Sequence, residues 1–199
     1  MPASTHDSTG KVLTVLGPVD PADLGITITH EHLLIDLSVV FVPPVDEEGR
    51  RLAEEPVGLG NLGWIRVNWS SNRDNLVQTN VDLATREVAR YKAAGGGALV
   101  DATSIGIDRN PAALAEISRA AGIHIVMGAG YYVGPAHPDD FSSRTVDNIT
   151  EEIVRDIQVG VGDTGVRSGI IGEIGCSWPW TDNEKKSVAA AVAAQQTTG

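Results

Sequence analysis

The feature that most limits how this chain can fold is a switch between two hydrophobic periods, repeated four times: a short apolar run, then a helical stripe. The runs are Ile-Thr-Ile-Thr-His-Glu-His at residues 26–32, Ala-Leu-Val-Asp-Ala-Thr at 98–103, the segment 123–129, and Gly-Ile-Ile-Gly-Glu-Ile at 169–174. Between and after them, apolar residues recur every three or four positions: Val81, Ala84, Val88 and Tyr91, then the segment opened by Asn110-Pro111, then Val146, Ile149, Ile153 and Ile157. Period 2 marks strands and period 3.6 marks helices, so the chain reads as a parallel sheet covered by amphipathic helices, with right-handed crossovers. Four such units are half of a closed (β/α)₈ barrel, which typically takes about 250 residues. A chain of 199 residues suits either half a barrel or a small open α/β sheet.

The helix ends are marked by their chemistry. Asn80 precedes the first stripe and Gly95 follows it; Asn110 and Pro111 supply a cap and a first-turn proline for the second, which stops at Gly122. Thr181 and Glu184 have the spacing of a capping box, in which each side chain satisfies an N–H exposed at the helix start. Ahead of the repeat, residues 1–10 form a polar leader, and residues 11–21 read as a short strand and a turn rich in Gly and Pro. Residues 11–199 are assigned to one domain. The stretch 38–79, with Pro43-Pro44, Trp64 and Trp69, reads as a long irregular loop walling the substrate side.

Charge narrows the partners. Twenty-six acidic residues against fifteen basic ones leave a formal charge of −11, and no Lys/Arg cluster could track a phosphate backbone. Nucleic acid and anionic membrane are therefore not expected. Residues 1–10 lack the apolar segment of a signal peptide, so a cytoplasmic location is expected. Cys176 is the only cysteine, which excludes an internal disulfide; it reads as a small buried apolar residue.

Chemistry concentrates at strand ends. His30 and His32 lie two apart on the first strand, so both imidazoles project to one side and can grip one metal ion; the same alternation places Ile26 and Ile28 on that face. Glu173 closes the fourth strand among Ile170, Ile171 and Ile174, where a carboxylate is costly to bury without a positive partner. In barrels of this type, active sites collect at the carboxyl ends of the strands. Asp101 is a candidate for orienting a metal-bound histidine, and Tyr131, Tyr132, Trp178 and Trp180 for lining the mouth. His6 in the leader, His124 at the start of a strand and His137 in a proline-flanked loop are poor ligand candidates. Gly128-x-Gly130 lacks the third glycine of a dinucleotide fingerprint, where Val133 stands.

Three segments carry a resemblance to a known family. Thr29-His30-Glu31-His32, Gly128-Ala129-Gly130-Tyr131-Tyr132 and the run from Gly169 to Pro179 are similar to the phosphotriesterase family, in particular its phosphotriesterase-related branch, over about residues 11–199. The resemblance implies the N-terminal half, strands one to four, of a TIM-type (β/α)₈ barrel of the amidohydrolase superfamily. It implies two divalent ions per complete site, zinc first and Mn²⁺ or Co²⁺ as alternatives, with His30, His32 and Glu173 as ligands. Glu173 stands where organophosphate-hydrolysing members carry a carboxylated lysine. The expected activity is thus metal-dependent hydrolysis, with activated water attacking a small amide, lactone or carboxylic ester in preference to a phosphotriester. The family's catalytic aspartate belongs to strand eight, so no catalytic residue is assigned here. The alternative expectation is an inactive truncated half-barrel that binds metal weakly or associates with itself through exposed barrel edges.

Overall fold

The computed structural model describes residues 8–199, so His6 and most of the leader lie outside the described residues. Strands β1 (Val12–Thr14) and β2 (Gly17–Val19) form an antiparallel hairpin, followed by β3 (Ile26–Glu31). Next come β4 (Ile35–Asp36), helix α1 (Glu47–Ala53), helix α2 (Leu62–Val67) and β5 (Val77–Gln78), with β4 and β5 paired antiparallel. The regular part then runs α3 (Val81–Ala93), β6 (Gly96–Asp101), α4 (Pro111–Ala121), β7 (His124–Ala129), α5 (Val146–Gln158), β8 (Ile170–Ile171) and α6 (Asp182–Thr198).

The main sheet has the order β3-β6-β7-β8, all parallel, and within the described residues it ends at β3 and at β8. This is a curled half-barrel with its helices on the outside. Leu99, Ile125 and Met127 of the sheet pack on Ala84 and Val88 of α3 and on Leu114 and Ile117 of α4. A second cluster joins Ala129, Tyr131 and Phe141 to Ile149 and Ile153 of α5 and to Ala190 and Ala194 of α6. At the starts of the four longer helices, Asn80, Asn110, Thr145 and Thr181 each accept a backbone N–H, the last two within full capping boxes. At the far end, Gly122 turns the chain out of α4 at φ 64°, a conformation that favours glycine. The β1–β2 hairpin lies under the starts of β7 and β8: Val15 N–H donates to Ile125 O at 2.8 Å, and a Cβ at Gly169 would meet Leu13 O at 2.1 Å. With that end covered, the other end of the sheet is left for chemistry.

Three sequence expectations need correction here. The stretch 38–79 is not irregular throughout, since α1, α2 and β5 fall within it; Asp46 caps α1 by accepting Gly49 N–H. These helices span only seven and six residues, too short for a helical stripe to stand out. The fourth strand pairs only at Ile170 and Ile171 and does not reach Ile174. Finally, the strict alternation along β3 is broken: Ile28 pairs with Leu99 and Glu31 with Asp101, so β3 holds one residue more than β6 over the same span. Such a bulge reverses facing. Ile28 packs with the helix-side cluster, while His30 and His32 turn to the opposite face, and Ile26 at the sheet edge is 66% exposed.

Candidate metal centre

His30, His32 and Glu173 meet at the carboxyl end of the half-barrel, brought together from the last residues of β3, from just past its end and from just beyond β8. The two imidazole Nε2 atoms lie 3.3 Å apart; His30 Nε2 is 3.2 Å from Glu173 Oε2, and His32 Nε2 is 3.5 Å from Glu173 Oε1. A tetrahedral ion with ligand bonds of about 2.0–2.1 Å separates its ligand atoms by about 3.3 Å. The three observed separations fit the edges of such a polyhedron, so the donor set suits a zinc-sized divalent ion. The His30 side chain is half exposed, whereas His32 and Glu173 are recessed. The open side faces the mouth.

The approach of Glu173 follows from backbone bonding. Gly172 N–H donates to Ala129 O at 2.8 Å and Glu173 N–H to Ala102 O at 3.0 Å, carrying the chain inward past the ends of β7 and β6. Only a glycine at 128 allows this, because a Cβ there would stand 2.1 Å from Gly172 O. Glu31, the residue between the histidines, folds back to accept the N–H of His32 at 3.0 Å.

A residue that sequence reasoning did not single out fixes His32. Thr103 Oγ1 lies 3.0 Å from His32 Nδ1 and 3.1 Å from Leu34 O. The carbonyl can only accept, so the single hydroxyl proton goes to Leu34 and Thr103 accepts from the Nδ1–H of His32. That assigns the tautomer in which Nε2 offers its lone pair to the site. The sequence signal was there: Asp101-Ala-Thr103 places two polar residues at the end of an apolar strand. Asp101, the residue expected to orient a histidine, acts one step back. Its Oδ2 accepts Leu33 N–H at 2.8 Å and its Oδ1 accepts Thr103 N–H at 3.1 Å, clamping the two segments that carry His32 and Thr103. Burial pushes its carboxyl above the ordinary range, against the opposing pull of those hydrogen bonds.

The remaining expected residues divide. Tyr132 is half buried, and burial together with the nearby Glu173 charge raises the pKa of its hydroxyl. Tyr131 instead packs in the second core cluster, its hydroxyl donating to Glu152 and accepting from Arg144. Trp178 is 95% exposed and Trp180 is also exposed, so neither walls a pocket. Cys176 is exposed, not buried, because it sits on the loop between β8 and α6. His137 donates from Nε2 to Tyr132 O at 2.8 Å and stacks on Phe141, away from the triad, and His124 opens β7 at the opposite end.

Comparison with known proteins bears on the family and the fold. The family model of the phosphotriesterase family matches residues 10–199. The N-acetyltaurine hydrolase of Xenopus tropicalis is 41% identical over 191 residues, which are 96% of this chain and 54% of that protein. The chain thus spans about half the length of the curated relatives it matches. Among solved structures, a resiniferatoxin-binding protein from Rhodobacter sphaeroides superposes with a TM-score of 0.93 at 39% identity, over 98% of this chain and 55% of that one. The organophosphorus hydrolase from Deinococcus radiodurans does so with a TM-score of 0.70 at 25% identity, over 96% of this chain and 51% of that one.

Proposed function

Because the chain belongs to the phosphotriesterase family, we propose that its His30–His32–Glu173 triad holds a divalent ion and serves hydrolysis of a small amide. The observation that carries this reading is the triad itself, three donor atoms from two distant segments at separations of 3.2–3.5 Å with an open side. Zinc suits the imidazole-rich set best, with Mn²⁺ and Co²⁺ as substitutes. A bound ion supplies Lewis-acid polarisation of the scissile carbonyl and a water of lowered pKa.

This chain's own residues supply the rest. Thr103 holds His32 with Nε2 toward the site, Asp101 fixes the backbone on which both depend, and Glu173 offers two oxygens, enough to touch a second ion. Glu173 needs no covalent modification to present a carboxylate, which sets the site apart from one built on a carboxylated lysine. That favours amides, then lactones and carboxylic esters, over phosphotriesters. The relatives named N-acetyltaurine hydrolase point the same way. Among the described residues, no helix is long and apolar enough to cross a membrane.

The test uses the full chain and its His30→Ala/His32→Ala variant. Each is loaded with Zn²⁺, Mn²⁺ or Co²⁺, analysed for retained metal after desalting, and assayed on N-acyl amino sulfonates, lactones, esters and a phosphotriester. The wild type is expected to retain metal and the double variant to lose it, with amide turnover falling to background. Equal metal retention, or equal turnover by both proteins, would refute the reading.

A further inference from the structure

We propose that a cavity at the foot of β7 binds a phosphate group, free or carried by a small organic phosphate, between the guanidinium groups of Arg119 and Arg167. The site stands independent of the metal reading above.

The cavity holds about 400 Å³ and lies between three segments: the β1–β2 turn with Thr14, the last turn of α4 with Arg119, and the loop from α5 to β8 with Thr164, Gly165 and Arg167. Small-molecule sites span about 300–1,000 Å³, so a phosphate and a short organic body would both fit. Its walls stand clear of both sheet edges. β7 is paired on one side with β6 and on the other with β8, and Val15, in the cavity wall, donates its N–H to Ile125 O of β7. This is the amino end of the sheet, opposite the triad.

Charge singles the cavity out. The chain carries 26 acidic residues against 15 basic ones, yet none of the described acidic residues lines this cavity, and two arginines do. Among the described residues neither guanidinium makes a hydrogen bond or an ion pair, whereas Arg109, Arg144 and Arg155 all engage carboxylates. Arg119 by itself would be an ordinary cation at a helix carboxyl end. Arg167 sits on a loop and has no such reason to be there. Two like charges lining one cavity repel each other, a cost that a shared anion removes.

The other polar groups narrow the ligand. Thr14 Oγ1 donates to Gly17 O and Thr164 Oγ1 to Val161 O, so both hydroxyl protons are committed. The donors that remain are the two guanidiniums and the backbone N–H groups of Gly165 and Arg167, which have no acceptor among the described residues. A guanidinium fork takes two oxygens of one anion at once. A carboxylate has oxygens for one such fork, a phosphate for both. A polyanion is a poorer fit, because the rest of the surface carries the net charge of −11 and repels all but a small ligand. Binding would also brace the fold: just after Arg167, Ser168 N–H donates to Asp156 O and Gly169 N–H to Met127 O, so the anion ties the lead-in to β8 to α4 and the hairpin.

The test is calorimetric titration of the full chain, stripped of metal with a chelator, with inorganic phosphate, glycerol phosphate and acetate in chloride buffer. The same titrations are run on Arg119→Gln, on Arg167→Gln and, as a control for phosphate held at the triad, on His30→Ala/His32→Ala. Neither arginine side chain has a partner to lose, so both glutamine variants should fold, which circular dichroism verifies. Phosphate or its ester is expected to bind with a Kd of about 1 mM or tighter, and the midpoint of thermal unfolding to rise with ligand concentration. Each glutamine should weaken binding at least tenfold while moving the midpoint of the ligand-free protein by less than about 2 °C. The histidine variant should bind as the wild type does. Tighter binding of glycerol phosphate would support an organic phosphate as the ligand, and equal affinity free phosphate. No binding by the wild type, binding unaffected by both glutamines, or binding lost only with the histidines would each overturn the proposal, as would acetate matching phosphate. A wild type that binds phosphate in this way but retains no metal after desalting overturns the metal reading and leaves the phosphate site standing.

Discussion

Replacing Thr103 with valine tests the step on which the metal reading depends most, the assignment of the His32 tautomer. Valine preserves shape at a position that is 1% exposed, but it removes the oxygen that accepts His32 Nδ1–H. The imidazole then has two choices. It can keep its proton on Nδ1 against a methyl group, at the cost of an unsatisfied donor, about 1–3 kcal/mol. Or it can carry the proton on Nε2, where the site needs a lone pair. Either way the penalty falls on metal binding. At about 1.4 kcal/mol per tenfold, the expected loss of affinity is about 10- to 100-fold, the range found when a hydrogen-bonding partner of a metal-bound histidine is removed. The assay is Zn²⁺ or Co²⁺ competition against a chelator of known affinity, on wild type, Thr103→Val and Thr103→Ser. Serine keeps the hydroxyl and should stay within about threefold of wild type. The valine also loses the bond to Leu34 O, about 1 kcal/mol of folding stability, which urea unfolding of the metal-free protein measures separately. Thr103→Val binding metal within threefold of wild type would refute the assignment.

Three further outcomes follow from the same contacts. Gly128→Ala places a Cβ 2.1 Å from Gly172 O, displacing the segment that delivers Glu173; metal affinity should fall by more than tenfold in chelator competition, and an unchanged affinity would show that Glu173 is held by something else. Arg109→Met removes a 2.8 Å ion pair from Asp156, which is 1% exposed and keeps only the longer 3.6 Å contact with Arg155; urea unfolding should show a loss of about 3 kcal/mol, and a loss below about 1 kcal/mol would contradict the pair's structural role. Burial alone would raise Glu184, but hydrogen bonds from the N–H groups of Thr181 and Gly134 and from the Ser177 hydroxyl hold it at about 2. A depressed carboxyl stabilises fully above its ordinary value of 4.5 and loses that contribution as pH falls toward 2. Denaturation at pH 7, 4 and 3 should therefore show the wild type losing stability more steeply than Glu184→Gln, and parallel curves would refute the account.

Which parts of this molecule could be read from residues alone depends on how far apart in the chain the cause of each feature lies. Helix starts are local events, so Asn80, Asn110 and Thr181 announce themselves; so does the pairing of His30 with His32, two residues apart in one run. The β3 bulge is set by the register against β6, some seventy residues later, and no periodicity within residues 26–32 reveals it. Yet the bulge decides the outcome: with strict alternation, Ile28 would share the face of the histidines, and the helix-side cluster would lose it. The hydroxyl of Thr103 is legible only once Leu34 and His32 are known to stand beside it, seventy residues away in sequence. Glu173 could be picked out because a carboxylate in an apolar run carries its own electrostatic cost wherever it folds. Its delivery past Gly128, by contrast, is a backbone contact between two strands, visible in sequence only as an unexplained glycine. The triad is thus a local pair joined to a distant carboxylate by non-local geometry. Substitutions at Gly128 and Thr103, neither of which would touch the metal, therefore probe the site as directly as loss of a histidine.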